Sequence, residues 1–278
     1  MKTVRITEFE DWGECPWKWD YKWQRRLTNN ESSSQASIPQ IIGSAIHFGM
    51  ESGLTDREAA LEAARLYIQA NHPQRLTDQL ETKLSVVLDN MPWDVLGLLY
   101  PVTEQLLSVT YGDLEVRGKP DLYGLLPDSQ ILVIDFKTTA SKGYQWSNKL
   151  QVESTFNLQL PFYAVLLSDY YHTDVLYQHI IVGTEKRGQA WVEEPKLIGP
   201  ILEQIRKLLI EKGESVGNTT APSEGWHCLY CPYHTIDEVR LTGGDWEYEI
   251  ETNWHRRVDR QTNVVIDLEP EKGGEDES

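Results

Sequence analysis

Two charged residues at the end of an apolar run, Asp135 and Lys137, are the first whose types and spacing could do chemistry. The run from Ile131 to Ile134 is aliphatic and mostly β-branched, which is typical of a buried central strand. Because side chains alternate between the faces of a strand, Asp135 and Lys137 should point the same way while Phe136 turns back into the core. The pattern predicts a carboxylate beside an ammonium at a strand end, either as part of an active site or as an edge ion pair.

Other residues could join this pair in one site. Turn chemistry at 127–129 separates the segments LEVRGKPDLYGLL and QILVIDFK, which predicts an antiparallel hairpin that brings Asp121 next to Asp135. In the helical segment IIGSAIHFGMESG, His47 lies four residues after Gly43 and therefore on the same face. A single helical His is also common as a satisfied core or surface residue, so its role depends on these partners.

The order of the predicted elements indicates a mixed α/β fold, with helices first, then three strands, a helix, further strands and a last helix. A capping box at Thr55 and Glu58 opens one helix, and Gly213 closes the last. The predicted helices, beyond the segment around His47, run from Thr55 to about Ala70, Thr77 to about Tyr100 with a kink or division at Pro92, Pro161 to about Tyr170 and Gly199 to Gly213. The predicted strands lie near EQLLSVTY, LEVRGKPDLYGLL, QILVIDFK, VLYQHIIVGT and GQAWVEE.

Composition bounds the class of protein. The 278 residues allow one large domain or two small ones. There is no long apolar run and no apolar signal segment in the opening MKTVRITEFED, which predicts a cytoplasmic protein, or one of the host cytoplasm if viral, without membrane contact. The net charge of −17 argues against a broad basic surface for nucleic acid. A locally basic groove stays compatible with it, because charges beyond about one Debye length are screened.

Four pairs of residues occur in one order along the chain: Gly43 with His47, Gly118 with Asp121, Asp135 with Lys137, and Gln159 with Tyr163. In this order and spacing the chain resembles the RecB-like branch of the PD-(D/E)XK nuclease superfamily. The segments CPWKWDYKW and CLYC extend the resemblance to members with an iron-sulfur cluster, including CRISPR-associated exonucleases and helicase-nuclease subunits. The resemblance implies a restriction-endonuclease-like core, with a mixed central sheet flanked by helices and the terminal segments joined by a cysteine metal staple.

The resemblance also implies a metal site for phosphodiester hydrolysis. Its ligands would be His47, Asp121, Asp135 and the backbone carbonyl of Phe136, which suit magnesium or manganese, with the His favouring manganese. Lys137 would orient or deprotonate the attacking water, or stabilise the charged transition state. Gln159 and Tyr163 would position substrate or the active-site strand, although a helix cap and a packed aromatic would explain them too, and Gly118 would allow close approach near the metal.

The cysteines Cys15, Cys228 and Cys231 match three of the four cluster positions in such relatives. The odd count and the C-x-x-C spacing indicate ligands or redox chemistry. No fourth cysteine follows, and His234 and Asp237 stand near its place. A 4Fe-4S cluster, a zinc site and a metal-free clasp stay open as interpretations. In each of them the N-terminal and C-terminal segments should meet.

Two basic and aromatic segments could stack single-stranded bases, although Trp and Tyr are commonly packed in the core instead. They contain Lys142, Tyr144, Trp146 and Lys149 in one segment, and Trp17, Trp19 and Trp23 beside Arg25 and Arg26 in the other.

The predicted organisation follows from these assignments. It comprises an N-terminal Cys and aromatic segment (1–30), a helical region with the His motif (31–102), the nuclease core (103–215), a C-terminal Cys segment (216–240), a strand-rich appendage (241–267) and a disordered acidic tail (268–278). The hypothesis is a metal-dependent DNA exonuclease in recombination, repair, replication or CRISPR-type processing, with a helicase or a recombination or CRISPR protein as partner. An endonuclease with the same site and a catalytically silent DNA-binding or assembly factor are the alternatives.

Overall fold

Helices flank a mixed central sheet, which confirms the mixed α/β fold class. The computed structural model describes residues 1–29, 37–54, 56–93, 97–139, 158–184 and 190–218, with 231, 233, 236, 239, 240, 247 and 254–256. Its helices are α1 (Ile6–Glu14), α2 (Pro16–Trp19), α3 (Ile38–Ser52), α4 (Arg57–Asn71), α5 (Asp78–Asn90), α6 (Gln159–Tyr171) and α7 (Leu202–Ser215), with a π-helical turn at Asp20–Gln24 and 3₁₀ turns at Pro73–Arg75 and Gly199–Ile201. Its strands are β1 (Lys2–Arg5), β2 (Leu27–Asn29), β3 (Leu99–Thr103), β4 (Leu107–Tyr111), β5 (Leu114–Gly118), β6 (Leu122–Leu125), β7 (Ile131–Thr139), β8 (Val175–Gly183), β9 (Ala190–Val192), β10 (Lys196–Leu197) and β11 (Trp254–Arg256).

The strand that carries Asp135, β7, lies inside the central sheet. The strand order is β10-β8-β7-β6-β3, and β9 also pairs with β8. β7 is parallel to β8 and antiparallel to β6, with the predicted hairpin turn at 127–129. Leu122 of β6 pairs with Ile134 of β7, so Asp121, one residue before β6, lies beside Asp135.

Both faces of β7 are buried. Leu132, Ile134 and Phe136 belong to an apolar cluster with residues of α3, α4 and α5. Ile131 and Val133 belong to a second cluster, which contains residues of α6 and of the smaller sheet described below. Burial on both faces explains why the run before Asp135 is continuously apolar instead of alternating with polar residues.

The segment LEVRGKPDLYGLL, predicted as one strand, forms two strands in different sheets. β5 ends at Gly118 and lies between β1 and β4 in a three-stranded sheet, whereas β6 begins at Leu122 in the central sheet. The break includes Pro120, which has no N–H to donate to a strand ladder. The chain therefore changes sheets immediately before Asp121.

The helical region predicted from Thr77 ends at Asn90, near Pro92, where a kink or division was expected, and its predicted continuation to about Tyr100 was wrong. Pro92 disfavours helical backbone at the residue before it, and Met91 is extended, with φ −61° and ψ 130°. The segment Leu99–Thr103 forms β3, which pairs with β6 at the edge of the central sheet.

Two helix ends also differ from the expected ones. The N-cap of α4 is Asp56, whose carboxylate accepts the backbone N–H groups of the first helical turn, and Thr55 lies outside the described residues. α7 continues past Gly213, where an added Cβ would lie 2.7 Å from a methyl group of Leu114. Gly213 therefore allows α7 to pack closely on β5 and does not end the helix. Within the described ranges, no helix combines the length and the apolar character needed to span a membrane.

The N-terminal and C-terminal segments meet, as was expected for stapled ends. Tyr21, Leu27, Tyr233 and Ile236 form an apolar cluster, against which Cys231 packs. The hydroxyl of Tyr233 donates to the carbonyl of Leu27 at 3.2 Å, and β2 pairs with β11. Cys15 is buried ahead of α2. The other predicted ligands, Cys228, His234 and Asp237, lie outside the described residues, so the metal staple stays a prediction.

Candidate active site

The end of β7 holds an acidic and a basic side chain in contact. Nζ of Lys137 donates to Oδ1 of Asp135 at 2.9 Å, and Phe136 between them is buried in the apolar cluster of α3, α4 and α5. Asp135 is only 2% exposed, whereas the Lys137 side chain is 29% exposed and borders a cleft. An edge ion pair would leave both groups in solvent, so the burial of Asp135 argues for a different role.

His47 and Asp121 approach β7 from two other elements. Nε2 of His47, on α3, lies 3.1 Å from the carbonyl oxygen of Phe136, and Nδ1 lies 3.4 Å from Oδ1 of Asp121. The other oxygen of Asp121, Oδ2, accepts the backbone N–H of Phe136 at 2.8 Å. A helix, a hairpin and a strand thus bring together three of the groups that the resemblance assigns to a metal.

Glu104 is a further acidic residue of the site, and sequence reasoning missed it. Ligand atoms of His47, Glu104 and Asp121 all lie within 4.8 Å of one another. Glu104 follows β3, its backbone N–H donates to the carbonyl of Pro120 at 3.1 Å, and its carboxylate contacts Lys119 at 2.7 Å. The pairing of β3 with β6 is what brings Glu104 beside Asp121. The sequence offered no signal beyond an acidic residue at the start of the segment EQLLSVTY.

Neighbouring carboxylates of the site have opposite pKa shifts. Burial raises the pKa of Asp135 against the effect of Lys137, and the nearby Asp121 adds to the rise. Burial also acts to raise the pKa of Asp121, but His47 and Lys137 outweigh it and hold that pKa below its ordinary value. The pKa of His47 is raised, because Asp121 more than offsets the effect of burial. Diverging pKa values in a group of interacting residues are typical of a functional site.

The donor set suits a hard divalent cation. Carboxylate oxygens with one imidazole are ligands for magnesium or manganese, and neighbouring ligands of an octahedral ion lie about 3 Å apart. The distance of 3.4 Å between Nδ1 of His47 and Oδ1 of Asp121 is close to that spacing. Oδ2 of Asp135 is buried, and the described residues offer it no hydrogen-bond partner. His47, Glu104 and Asp121 could therefore hold a divalent ion, with Asp135 and the Phe136 carbonyl beside it.

A cleft of about 650 Å³ leads to these groups. One wall is α3, whose cleft-facing residues recur at helical spacing opposite the residues that the helix buries in the core. Phe136, Lys137 and Thr138 contribute the end of β7, and Tyr67 of α4 and Glu104 complete the lining. The residues of α3 in the wall are Pro39, Gln40, Gly43, Ser44, His47, Phe48 and Glu51.

Gln159 and Tyr163 lie on the first turns of α6 and contact each other, with Nε2 of Gln159 donating to the Tyr163 hydroxyl at 3.0 Å. Tyr163 is buried and packs against Gly118, where an added Cβ would lie 2.9 Å from its ring and 2.8 Å from Leu166. The groups that Gly118 allows to approach are therefore side chains of α6, not the metal ligands as expected. Substrate positioning by Gln159 and Tyr163 stays a prediction.

The tryptophans proposed to stack bases are largely engaged in the fold. Trp19 is 7% exposed and donates from Nε1 to Glu8 at 3.0 Å, so of the two interpretations the packed one holds for Trp19. Arg240 lies over the Trp17 ring at 4.0 Å, and Nε1 of Trp23 donates to a carboxylate oxygen of Asp11 at 2.8 Å. The other predicted DNA contacts, Lys142, Tyr144, Trp146 and Lys149, lie outside the described residues.

Most of the chain matches the model of one known protein family. A family model described as the PD-(D/E)XK nuclease superfamily matches residues 5–236. The chain belongs to the PD-(D/E)XK nuclease superfamily. This confirms the resemblance at the level of the superfamily, whose members use divalent metals. The RecB-like branch stays a prediction.

One solved structure has a similar fold. The chain is similar to a protein named "Putative exonuclease" from Eubacterium rectale, with 11% identity, a TM-score of 0.55, and 88% of this chain and 94% of that chain covered. It is also similar to the protein SSO0001, with 16% identity, a TM-score of 0.40 and 85% of each chain covered. At 11% identity the first likeness shows the fold alone. A search of the curated proteins gives no match.

The position of Glu104 predicts an effect on metal affinity. Glu104→Gln removes one negative charge from the His47, Glu104 and Asp121 group, and we expect the Kd for Mn²⁺ to rise about tenfold. Titration of Mn²⁺ into DNA-free protein, followed by electron paramagnetic resonance, measures it. Glu51→Gln is the matched control, because Glu51 lines the same cleft outside that group. An unchanged Kd in Glu104→Gln would mean that Glu104 does not bind the ion and that its role is the ion pair with Lys119.

Proposed function

We propose that this member of the nuclease superfamily is a divalent-metal-dependent DNA exonuclease that acts on ends or single strands. The observation that carries the proposal is the meeting of His47, Glu104 and Asp121 beside the Asp135 and Lys137 pair at the cleft. Recombination, repair, replication or CRISPR-type processing is the corresponding role, with a helicase or another protein of these processes as partner.

In this mechanism His47, Glu104, Asp121 and Asp135 would hold the metal. The bound ion would activate a water molecule and neutralise charge on the scissile phosphate. Lys137 lines the cleft, where its ammonium could hold the attacking water and stabilise negative charge that develops on the phosphate. Asp135 keeps this ammonium in place through the 2.9 Å hydrogen bond from Nζ to Oδ1. In this mechanism the carboxylates bind the metal, and Lys137 holds the attacking water and stabilises charge on the phosphate.

Cleavage of end-labelled DNA tests the proposal. Linear single-stranded, linear double-stranded and covalently closed single-stranded circular DNA are incubated with Mn²⁺, Mg²⁺ or EDTA. We expect progressive shortening of linear DNA that requires metal, with the circle intact. Cleavage of the circle would support the endonuclease alternative. DNA binding without cleavage of any substrate under either metal would support the assembly-factor alternative.

An aromatic pair in the cleft wall supports single strands as substrate. Phe48, next to His47, is 40% exposed, and its ring centroid lies 5.5 Å from that of Tyr67. An exposed ring can stack a base of an unpaired strand, whereas the bases inside a duplex already stack on each other. The described lining contains one lysine and two glutamates, so stacking and the metal would supply most of the affinity in the cleft.

Phe48→Ala should therefore weaken binding of single-stranded oligonucleotides about tenfold, because stacking on an aromatic side chain contributes about 1–3 kcal/mol per base. Fluorescence anisotropy measures the Kd, with EDTA present to prevent cleavage. Tyr170→Ala is the control, since Tyr170 is 48% exposed and does not line the cleft. Equal losses in the two variants, or an equal loss on duplex DNA in Phe48→Ala, would contradict the assignment.

We further propose that Cys15, Cys228 and Cys231, with His234 or Asp237, form a metal staple between the terminal segments. The contacts of Tyr21 and Leu27 with Tyr233 and Ile236 support the closeness that it requires. Iron and zinc analysis of protein purified without oxygen, with its visible absorption, separates an iron-sulfur cluster, a zinc site and a metal-free clasp.

A further inference from the structure

A buried histidine lies directly beside the Asp135 carboxylate. His179 on β8 pairs with Asp135 in the parallel register of β7 and β8, so the two side chains share a face of the sheet. His179 is 5% exposed, and its Nε2 lies 3.8 Å from Oδ2 of Asp135. This Oδ2 is the buried oxygen for which the described residues offer no hydrogen-bond partner. Asp135 is therefore flanked by Lys137 at Oδ1 and by His179 near Oδ2.

Glu193 holds this histidine from the other side. Oε2 of Glu193 lies 3.1 Å from Nδ1 of His179, and the backbone N–H of Glu193 donates to the carbonyl of His179 at 3.0 Å. Lys196 forms an ion pair with the same carboxylate. Although burial acts in the opposite direction, hydrogen bonds from His179 and Lys196 lower the pKa of Glu193 to about 2, so it is an anion at neutral pH. The contact of Glu193 with Nδ1 fixes the imidazole ring, so that its Nε2 edge faces Asp135.

We propose that His179, oriented by Glu193, is a positioning residue that restricts the Asp135 carboxylate to the orientation in which it can serve the metal. The inference rests on the proposed function, because it takes Asp135 as part of the metal site. His179 acts through Asp135 and does not border the cleft in the described lining. Partners behind a ligand commonly change metal affinity 10- to 100-fold when they are removed.

The competing role is purely structural, in which His179 fills a buried polar position of β8. Gln178 provides the matched control for that role. It is the preceding residue on the same strand, is 3% exposed, and donates from its side chain to the backbone carbonyl of Glu193. Because strand side chains alternate, Gln178 points to the face opposite His179 and Asp135. Gln178→Leu therefore removes a buried polar group from the opposite face and leaves the side chains of His179, Glu193 and Asp135 in place.

The experiment compares His179→Leu, Glu193→Gln and Gln178→Leu in the full chain. Mn²⁺ binding to DNA-free protein is followed by electron paramagnetic resonance, and the KM for a labelled oligonucleotide is measured at saturating Mn²⁺. We expect the Kd for Mn²⁺ to rise about tenfold in His179→Leu and about twofold in Glu193→Gln, whose amide oxygen can still accept from Nδ1. The Kd in Gln178→Leu and the KM in all three variants should stay within twofold of the wild type.

A wild-type Kd for Mn²⁺ in folded His179→Leu would overturn the proposal, and so would an equal rise in Gln178→Leu. If His179→Leu does not fold, His179→Gln replaces it, and a wild-type Kd for Mn²⁺ in that variant would likewise overturn the proposal. Failure of this inference can be distinguished from failure of the proposed function, because metal binding is measured without DNA. A wild-type protein that binds Mn²⁺ in a His179-dependent way but cleaves no DNA would retain this inference and reject the nuclease proposal.

Discussion

Replacing Asp135 by Asn is expected to abolish metal-dependent cleavage while leaving the metal-free protein at least as stable as the wild type. The asparagine side chain has nearly the same shape and can still accept from Lys137, but it lacks the charge that attracts a divalent cation. We expect kcat/KM to fall by about 10³-fold or more, which corresponds to about 4 kcal/mol of transition-state stabilisation. The rate of shortening of end-labelled single-stranded DNA measures this loss.

The expected gain in stability follows from the raised pKa of Asp135. Burial is the main cause of the rise, so the folded-state pKa lies above that of the unfolded chain. The unfolded chain therefore ionises more readily than the folded one, so stability is lost as the pH rises from the unfolded-state pKa through the folded-state pKa. Asn cannot ionise, so the advantage of Asp135→Asn in metal-free protein should grow from acidic to neutral pH. Urea denaturation in EDTA at several pH values measures it.

In the presence of Mn²⁺ the wild type should become more stable than Asp135→Asn. At a hundredfold excess of Mn²⁺ over its Kd, binding should stabilise the wild type by about 2.7 kcal/mol and raise its Tm by about 5 °C. Asp135→Asn should show little or none of this rise. If Asp135→Asn keeps both the metal-dependent rise in Tm and the cleavage, Asp135 is not part of the metal site.

Replacing Lys137 by Met is expected to separate catalysis from metal binding. Lys137 lines the cleft but is not one of the groups that could hold the ion. A positioned proton donor or acceptor contributes about 10²- to 10⁴-fold to a rate, so we expect kcat to fall within that range. The rise in Tm with Mn²⁺ should persist, because the carboxylates remain. Single-turnover cleavage and thermal melting of the same preparation measure the two properties.

Two further substitutions control this experiment. Lys207→Met removes an equal charge from α7, where the Lys207 side chain is 78% exposed, and should cleave like the wild type. Lys137→Arg keeps the positive charge, but a guanidinium cannot give up its proton at neutral pH. Recovery of cleavage in Lys137→Arg would indicate charge stabilisation, and a loss equal to that in Lys137→Met would indicate proton transfer. Loss of the metal-dependent rise in Tm in Lys137→Met would contradict the division of work between Lys137 and the carboxylates.

The sequence by itself determined the features of this protein that depend on a few consecutive residues. The burial of Phe136 and the contact of Asp135 with Lys137 follow from the alternation of side chains in β7. The position of Asp121 follows from a short hairpin, whose turn chemistry lies between the two strands. These relations are local, so residue types and spacing are enough to state them, and the family match agrees with them.

Only the tertiary structure decided which distant residues join the site. Glu104 reaches Asp121 through the pairing of β3 with β6, and His179 reaches Asp135 through the parallel pairing of β7 with β8. β5 and β6 belong to separate sheets because the strand is interrupted at Pro120, although the sequence pattern predicts one continuous strand. Partner choice and register between strands are set by the packing of whole faces against helices. No spacing in the sequence carries that information, which is why Glu104 and His179 were found only in the fold.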